Sequence, residues 1–506
     1  MPSSFSRSTL FSAAVAPYIA SMELVSHYWP HILAVLSFCV GALAAVHAAM
    51  NKDEVRSAIG WVGVIMLSPF VGAALYLFAG VNRIRRSNVG LQWTRMLTGP
   101  PEHIARYDVN PETITECYGR RFTSLMVLGN RITPHQLTTG NGIEMLERGD
   151  DAYDAMCAAI DTAQRSIILE SYIFDRDPVG KRLADCLIAA HRRGVAVRVL
   201  VDAVGARYSF PSILSRFRKA GVPVNVFNGN VIVGLRLPYA NLRTHRKILV
   251  IDGAVAFTGG MNIRAGFSHR LNGERTLLDT HFRVRGRVVA DLFFIAAADW
   301  RFASGETLDG GAWRIVDPDS TPGGPVIIRA VPSGPDRSVE TNARLLMGAL
   351  SVARSNIRIM SPYFLPDREL ISALTTAARR GVEVDIVVPG VSNLVLVDRA
   401  MTAQFDQFLK NYCRIWRSSG PFNHSKLMTI DGRWSYTGSS NLDGRSLRLN
   451  FEIDLEVYDS AFAAQVERRI DAAIADAQPV TLEALRARPF PVRLLERILW
   501  LGSPYL

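Results

Sequence analysis

His245-Arg246-Lys247-Ile248-Leu249-Val250-Ile251-Asp252-Gly253 decides the reading of this chain, because it occurs twice. The second copy is His424-Ser425-Lys426-Leu427-Met428-Thr429-Ile430-Asp431-Gly432. The first runs on through Phe257-Thr258-Gly259-Gly260-Met261-Asn262, the second through Tyr436-Thr437-Gly438-Ser439-Ser440-Asn441. Both obey H-x-K-x4-D-x6-G-x2-N. From the frequencies of His, Lys and Asp, chance supplies roughly 0.007 matches to H-x-K-x4-D in a chain of this length. Two matches with the same downstream Gly and Asn are a repeat.

Side chains i and i+2 of an extended segment point the same way. His245 and Lys247 therefore share a side, as do His424 and Lys426. Asp252-Gly253 and Asp431-Gly432 are turn dipeptides, so a hairpin should follow each. Its return strand carries Asn262 or Asn441 back toward the His/Lys end. Bringing the copies together gathers two imidazoles, two ammoniums and two amides, which suits a phosphate group. The lysines and asparagines would hold non-bridging oxygens. One imidazole would attack phosphorus and the other protonate the leaving oxygen. Asp279 and Glu452, which follow the motifs, are candidates to orient an imidazole through its second nitrogen. Glu170, Tyr172, Ser361 and Tyr363 are candidates for the rim, and Arg243, Arg264, Arg445 and Arg448 for a headgroup.

Around each motif the same layout recurs. A helical run near 153–164 precedes SIILESYIF (166–174), and a second helix ending at Arg192-Arg193-Gly194 precedes VAVRVLVD (195–202). The counterparts are a run near 339–353, NIRIMSPYF (356–364), an Arg379-Arg380-Gly381 stop and VEVDIVVP (382–389). Helices alternating with apolar strands predict an α/β fold with a sheet covered on both faces. A repeat distance of about 180–190 residues indicates a duplicated domain. We expect a membrane region at 1–86, a linker or pre-domain segment at 87–150, one domain at 151–304, an interdomain linker at 305–335 and a second domain at 336–506.

The N-terminal region is apolar. No Asp, Glu, Lys or Arg occurs from Leu24 to Asn51, nor from Ser57 to Asn82. Each run can cross roughly 30 Å of hydrocarbon, so two transmembrane helices are expected at about 29–50 and 57–80. Arg83, Arg85, Arg86 and Arg95 outnumber Lys52 and Arg56 of the short link, which places the rest of the chain in the cytoplasm by the positive-inside rule.

The chain has 506 residues, 48% hydrophobic and 20% charged, with a net charge of +11. That composition excludes a disordered chain and favours anionic partners. The five cysteines form no CxxC, which argues against a zinc site or a disulfide framework.

With these motifs the sequence resembles the phospholipase D superfamily, and within it the membrane-anchored bacterial cardiolipin synthases. The match also includes ESYIF (170–174), DTHFRVRG (279–286), SPYFLPD (361–367), GSSNLDGRSLRLNFE (438–452) and the ending ERILWLGSPYL. The resemblance implies two α-β-α sandwich domains related by a pseudo-twofold axis, with one active site between them. It implies no metal and no cofactor. It implies phosphatidyl transfer between two phosphatidylglycerol molecules through a phosphatidyl-histidine, giving cardiolipin and glycerol, with His245 as nucleophile and His424 as acid and base. The catalytic set is then His245, Lys247, Asp252, His424, Lys426 and Asp431, although the resemblance makes the motif aspartates more structural than catalytic. Asn262, Asn441, Asp279 and Glu452 bind phosphate or orient. Expected partners are phosphatidylglycerol and an anionic phospholipid membrane, with no nucleic acid, in a bacterial cytoplasmic membrane. The alternative reading is a membrane-bound phospholipase D that hydrolyses or exchanges headgroups.

Overall fold

The computed structural model describes residues 7–52, 55–80, 106–228, 243–316, 323–335, 338 and 340–502. The chain divides into two units, Met1–Arg85 and Arg86–Leu506.

In the first unit one helix spans Arg7–Asn51. Its segment Tyr28–Asn51 is long and apolar enough to cross a bilayer, and among the described residues it is the only one that is. The second apolar run, expected as a single span, is divided into helices Val55–Leu67 and Pro69–Leu75. Pro69 lacks the amide hydrogen that a continuous helix needs there, and Ser68 leaves helical geometry with φ −147°. A π-turn, Tyr76–Gly80, follows. Arg83, Arg85, Arg86 and Arg95, which set the expected orientation, lie outside the described residues.

The second unit is built on two copies of one strand order. The first copy comprises β1 (Thr138–Leu146), β2 (Ser166–Ser171), β3 (Ala196–Asp202), β4 (Val224–Phe227), β5 (Arg243–Thr244), β6 (Ile248–Ile251), β7 (Val255–Gly259) and β8 (His281–Arg285). The second comprises β9 (Val326–Ser333), β10 (Asn356–Met360), β11 (Phe364–Leu365), β12 (Glu383–Pro389), β13 (Arg414–Ser418), β14 (Leu427–Ile430), β15 (Trp434–Gly438), β16 (Leu442–Asp443), β17 (Asn450–Tyr458) and β18 (Gln478–Pro479). One path reads β4-β3-β2-β6-β7-β8-β1 and continues β9-β17-β15-β14-β10-β12-β13-β18. Antiparallel pairing of β1 with β9 joins the copies. β2 with β3 and β10 with β12 are parallel, whereas the hairpins β6-β7 and β14-β15 are antiparallel. The sheet is thus mixed, as the helix-separated and turn-separated strands require.

Helices cover both faces. Ile357 and Ile359 of β10 point into a core with Leu345, Leu350 and Leu374 of helices Thr341–Val352 and Arg368–Arg379. Arg358, between them, faces the other way and pairs with Asp471 of helix Ser460–Ala475. The first copy has its own core, with Ile167 and Leu169 packed among Leu183, Leu187 and Ile160.

Among the described residues, two expected linkers contain helices or strands. The stretch 305–335 contains β9, which lies at the centre of the sheet between β17 and β1. Its Gly- and Pro-rich flanks conceal a strand buried along almost its whole length. The segment 87–150 contains β1 and helices Pro111–Tyr118 and Arg120–Ile132. Phe122, Leu125 and Met126 of the latter belong to the second copy's core, so the chain leading into the first copy packs on the second.

Candidate active site

Each motif histidine stands just ahead of the first strand of its hairpin, and the opposite copy fixes its backbone. β5 pairs in parallel with the start of β17, and the His245 amide donates to the Phe451 carbonyl at 2.8 Å. The equivalent bridge joins Asn423 to Leu278, and the His424 amide donates to the Leu278 carbonyl at 2.7 Å. Each histidine is therefore delivered to the residue that precedes the other copy's acid.

The side chains follow. Nδ1 of His245 is 2.9 Å from Oε2 of Glu452. Nδ1 of His424 is 2.8 Å from Oδ2 of Asp279. The two acids differ in type and in distance from their motifs, yet they are equivalent by register. Gly259 faces His281 and Gly438 faces Asp454 across the sheet, and each acid lies two residues before that partner. The unequal loops after Asn262 and Asn441 leave this relation intact.

Both imidazoles, both lysines and both acids are buried. Burial holds the His245 ring below the ordinary histidine range; Glu452 opposes the shift and Lys247 adds to it. Burial, reinforced by Lys426, brings His424 to about 4. Desolvation alone would raise Glu452, but His245, Lys247 and the Ser439 hydroxyl bring it below its usual value. Asp279 is lowered against its burial by His424 and Lys426. The resting pairs are thus carboxylate with neutral imidazole. With Nδ1–H committed to a carboxylate, Nε2 keeps a free lone pair.

Lys247 Nζ donates to the His245 carbonyl at 2.6 Å and lies over the Tyr172 ring at 5.5 Å. Lys426 Nζ is 3.0 Å from Nδ1 of His424. Burial brings the ammoniums down to about 7 and about 8 respectively. Lys426 acts electrostatically on His245, and Lys247 on His424, so the two halves form one field. Asn262 accepts from the Ile173 amide through Oδ1 at 3.1 Å, leaving its NH2 group as the donor it can offer. Asn441 donates to Ser446 Oγ at 3.3 Å. Among the described residues no group of three His, Cys, Asp or Glu is arranged to hold a metal ion.

The sequence reading groups Asp252 and Asp431 with the catalytic residues, and the structure places them elsewhere. Each sits at the far end of its strand from the histidine, about 20 Å away at ~3.3 Å per residue. Asp252 accepts from the amides of Gln164, Arg165 and Ser166 at 2.7–2.9 Å. Asp431 accepts from those of Arg354, Ser355 and Asn356 and pairs with Arg121. Both have φ near +54° (53° and 54°), a conformation that Asp tolerates better than most residues. They pin the start of β2 and β10 to the hairpin turn.

The sequence that carries this arrangement matches known families. The Cardiolipin synthase, PLD-like domain family matches residues 156–286 and again 346–474, and the Phospholipase_D-nuclease N-terminal family matches 40–80. The chain belongs to the phospholipase D superfamily. It is an enzyme of the phosphatidyltransferase kind within that superfamily. A cardiolipin synthase of Geobacillus sp. is 29% identical, with 99% of each chain covered. Cardiolipin synthase A of Pseudomonas putida is 30% identical, covering 96% of this chain and 100% of its own. The fold is also that of a phosphatidylserine synthase structure from Haemophilus influenzae, at TM-score 0.58 and 17% identity, over 76% of this chain and 100% of that one.

Within this phospholipase D superfamily site the rim expectations divide. The Tyr172 ring meets His245 edge-on at 5.1 Å, and Tyr363 meets His424 at 6.1 Å. They are not register equivalents. Glu170 opposes Ile248, and Met360 opposes Leu427, so Tyr172 matches Pro362. Glu170 lies beneath the site, accepting from Thr244, and burial beside Asp299 raises its carboxyl well above normal. The Ser361 hydroxyl donates locally, to the Tyr363 carbonyl at 2.9 Å. Arg264 and Arg448 are paired with Asp175 and Asp367 at 3.2 and 3.4 Å. Arg243 and Arg445 lie close enough to Tyr172 to act on its hydroxyl.

Three residues escape the sequence reading. Arg246, the variable position of the first motif, is buried, chelates Asp299 at 2.7–2.8 Å and donates to the Glu452 carbonyl at 3.0 Å. Its counterpart Ser425 meets Thr280 Oγ1 at 2.9 Å. Ser439 donates to Glu452 Oε2 at 2.6 Å. The only signal for Ser439 is the Gly-Gly against Gly-Ser difference. A Cβ at Gly260 would stand 2.6 Å from Asp279 Oδ1, so the first half keeps glycine there.

Proposed function

We propose that this protein is a cardiolipin synthase that transfers a phosphatidyl group from one phosphatidylglycerol to another. The observation that carries the reading is the crossed pair of carboxylate–imidazole contacts beside two buried lysines. Nε2 of His245 attacks phosphorus, and the bond from phosphorus to the glycerol oxygen breaks. His424, as imidazolium, gives its proton to that oxygen and glycerol leaves. The bound phosphodiester brings the negative charge that favours this protonated form. A terminal hydroxyl of a second phosphatidylglycerol then loses its proton to His424 and attacks phosphorus, and the phosphorus–nitrogen bond breaks. Lys247, Lys426, Asn262 and Asn441 hold the non-bridging oxygens as charge builds on them. His245 takes the nucleophile role by the resemblance of the paired motifs.

The same reading makes the N-terminal region a two-span hairpin that leaves the catalytic unit on the cytoplasmic side of a bacterial inner membrane. The apolar segment Tyr28–Asn51 supports membrane attachment. Reporters fused after residues 50 and 95 test the topology: the second must read cytoplasmic.

Incubation of the full chain with phosphatidylglycerol vesicles, followed by lipid chromatography, tests the reaction. Cardiolipin with equimolar glycerol is the expected result. Phosphatidic acid as the sole product replaces this reading with hydrolysis.

A further inference from the structure

The C-terminal helix Phe490–Leu501 is apolar on its outer as well as its inner side. The one side chain it buries fully is Glu496, 1% exposed. That carboxylate receives Arg488 through two contacts of 2.7 Å and Arg399 at 3.4 Å. The opposite face carries Phe490, Leu494, Ile498 and Leu501, at the i, i+4, i+8, i+11 spacing of a single stripe. These are 70%, 46%, 55% and 73% exposed. Arg493 and Arg497 border the stripe on one side. Leu499 and Trp500 pack on the second copy's core beside this salt bridge, which leaves the second apolar stripe outside.

The helix is also joined to the opening of the active site. It packs along helix Val395–Leu409, to which Arg399–Glu496 and Arg497–Asp406 tie it. That second helix starts at the site. Tyr363, whose ring meets His424, donates to Asn393 at 2.7 Å. The next residues, Leu394 and Val395, are 46% and 64% exposed. From the other copy Tyr208, 55% exposed, acts on the hydroxyls of both Tyr172 and Tyr363. Phe210, two residues on, is fully exposed.

We infer that the exposed apolar residues around the site, Phe210, Leu394 and Val395, act together with the outer face of the C-terminal helix to dock into an anionic phospholipid bilayer and hold the mouth of the active site at the headgroup level. Large exposed apolar patches mark interaction surfaces. A stripe of this kind with arginines along its border fits an interfacial helix, apolar face in the acyl boundary and cations at the phosphates. The arginine border and the packing of this helix on the one that begins at a phospholipid-handling site select a bilayer over a second copy of the chain. The inference rests on the proposed lipid substrate.

The full chain, with Cys39, Cys117 and Cys186 replaced, receives one cysteine by Phe210→Cys, Val395→Cys or Ile498→Cys. Each is labelled with an environment-sensitive fluorophore and reconstituted in vesicles of phosphatidylglycerol and phosphatidylethanolamine. The expected result is at least about twofold quenching at all three positions when the acyl chains are brominated. The control Arg192→Cys, exposed at a helix end remote from the site, stays unquenched. Labels at 395 and 498 that behave like the control overturn the inference. A 498–498 disulfide between copies in that case assigns the face to a second chain. The readout requires no turnover, so failure to make cardiolipin and failure to dock are separate results.

Discussion

Glu452 of the second copy reaches His245 of the first across a 2.9 Å contact, and Asp279 returns the relation to His424 at 2.8 Å. Neither half holds a complete imidazole–carboxylate pair by itself. The backbone enforces this, because each histidine amide donates to the carbonyl just ahead of the opposite acid. The candidate active site is therefore a property of the joined sheet.

The crossed pairing predicts which variants fail together. Glu452→Gln and Asp279→Asn each remove a carboxylate while keeping its size, and each should lower phosphatidyl transfer by about 10²-fold or more. Adding Glu452→Gln to His245→Ala should cost little beyond the histidine alone, since the two act as a unit. Steady-state rates of the single and double variants in phosphatidylglycerol vesicles check this. Multiplicative losses would break the unit.

The two histidines should separate in a trapping experiment. His424→Ala should still form a covalent adduct from a substrate whose leaving group needs no proton, because the nucleophile remains. His245→Ala should form none. Mass spectrometry of enzyme quenched in denaturant at neutral to mildly alkaline pH, where the phosphorus–nitrogen bond survives, gives the answer, and an adduct on His424 in the His245→Ala protein reverses the assignment.

The pH dependence follows from the buried ammoniums. Burial lowers Lys247 to about 7 and Lys426 to about 8. Their charge is present below those values and is lost as pH rises through them. Protonation of His424, held to about 4 in the free enzyme, already slopes kcat/KM for phosphatidylglycerol downward, and loss of the lysine charges should steepen that fall above about pH 7–8. A bound phosphodiester favours the charged amine, so the alkaline limb of kcat should lie higher than that of kcat/KM. The acid limb should lie below the ordinary histidine range, because burial lowers His245 and the nucleophile must be neutral. Identical alkaline limbs in kcat and kcat/KM would remove the lysines from the phosphate site.

Asp252 should behave as a structural residue. Asp252→Ala removes the acceptor from the amides of Gln164, Arg165 and Ser166, at about 1–3 kcal/mol for a group left buried and unsatisfied, as at Ser166, while the exposed Gln164 amide takes water. The melting temperature in detergent should drop. The fraction that stays folded should turn over at a rate far closer to wild type than His245→Ala does. Asp252→Asn, which keeps an acceptor and tolerates the positive φ, should recover part of the stability.

Gly260→Ala should inactivate without exposing any core. Its Cβ would lie 2.6 Å from Oδ1 and 3.0 Å from Oδ2 of Asp279, displacing the carboxylate that holds His424. A loss of about 10²-fold in rate is expected, with a melting temperature close to wild type. Full activity would show that Asp279 can move without consequence.

The motif repeat alone determined the residue types of the site and their number, because a strand shows alternate side chains to one side and an unlikely pattern occurred twice. The period and stop signals likewise determined the helices and strands of both copies. β9 stayed hidden because its pairing partners are distant in sequence and its neighbours are glycine and proline. The break at Pro69 divided an apolar run that composition reads as uniform. Which carboxylate serves which imidazole was decided only by tertiary structure, since the contact spans 207 positions of chain and depends on β5 pairing with β17. The same cause moved Asp252 and Asp431 out of the site: a strand holds its two ends apart, however closely the motif spaces them in sequence. The outward apolar face of the C-terminal helix emerged there too, because a helical period reveals a stripe but not which side the rest of the protein leaves open.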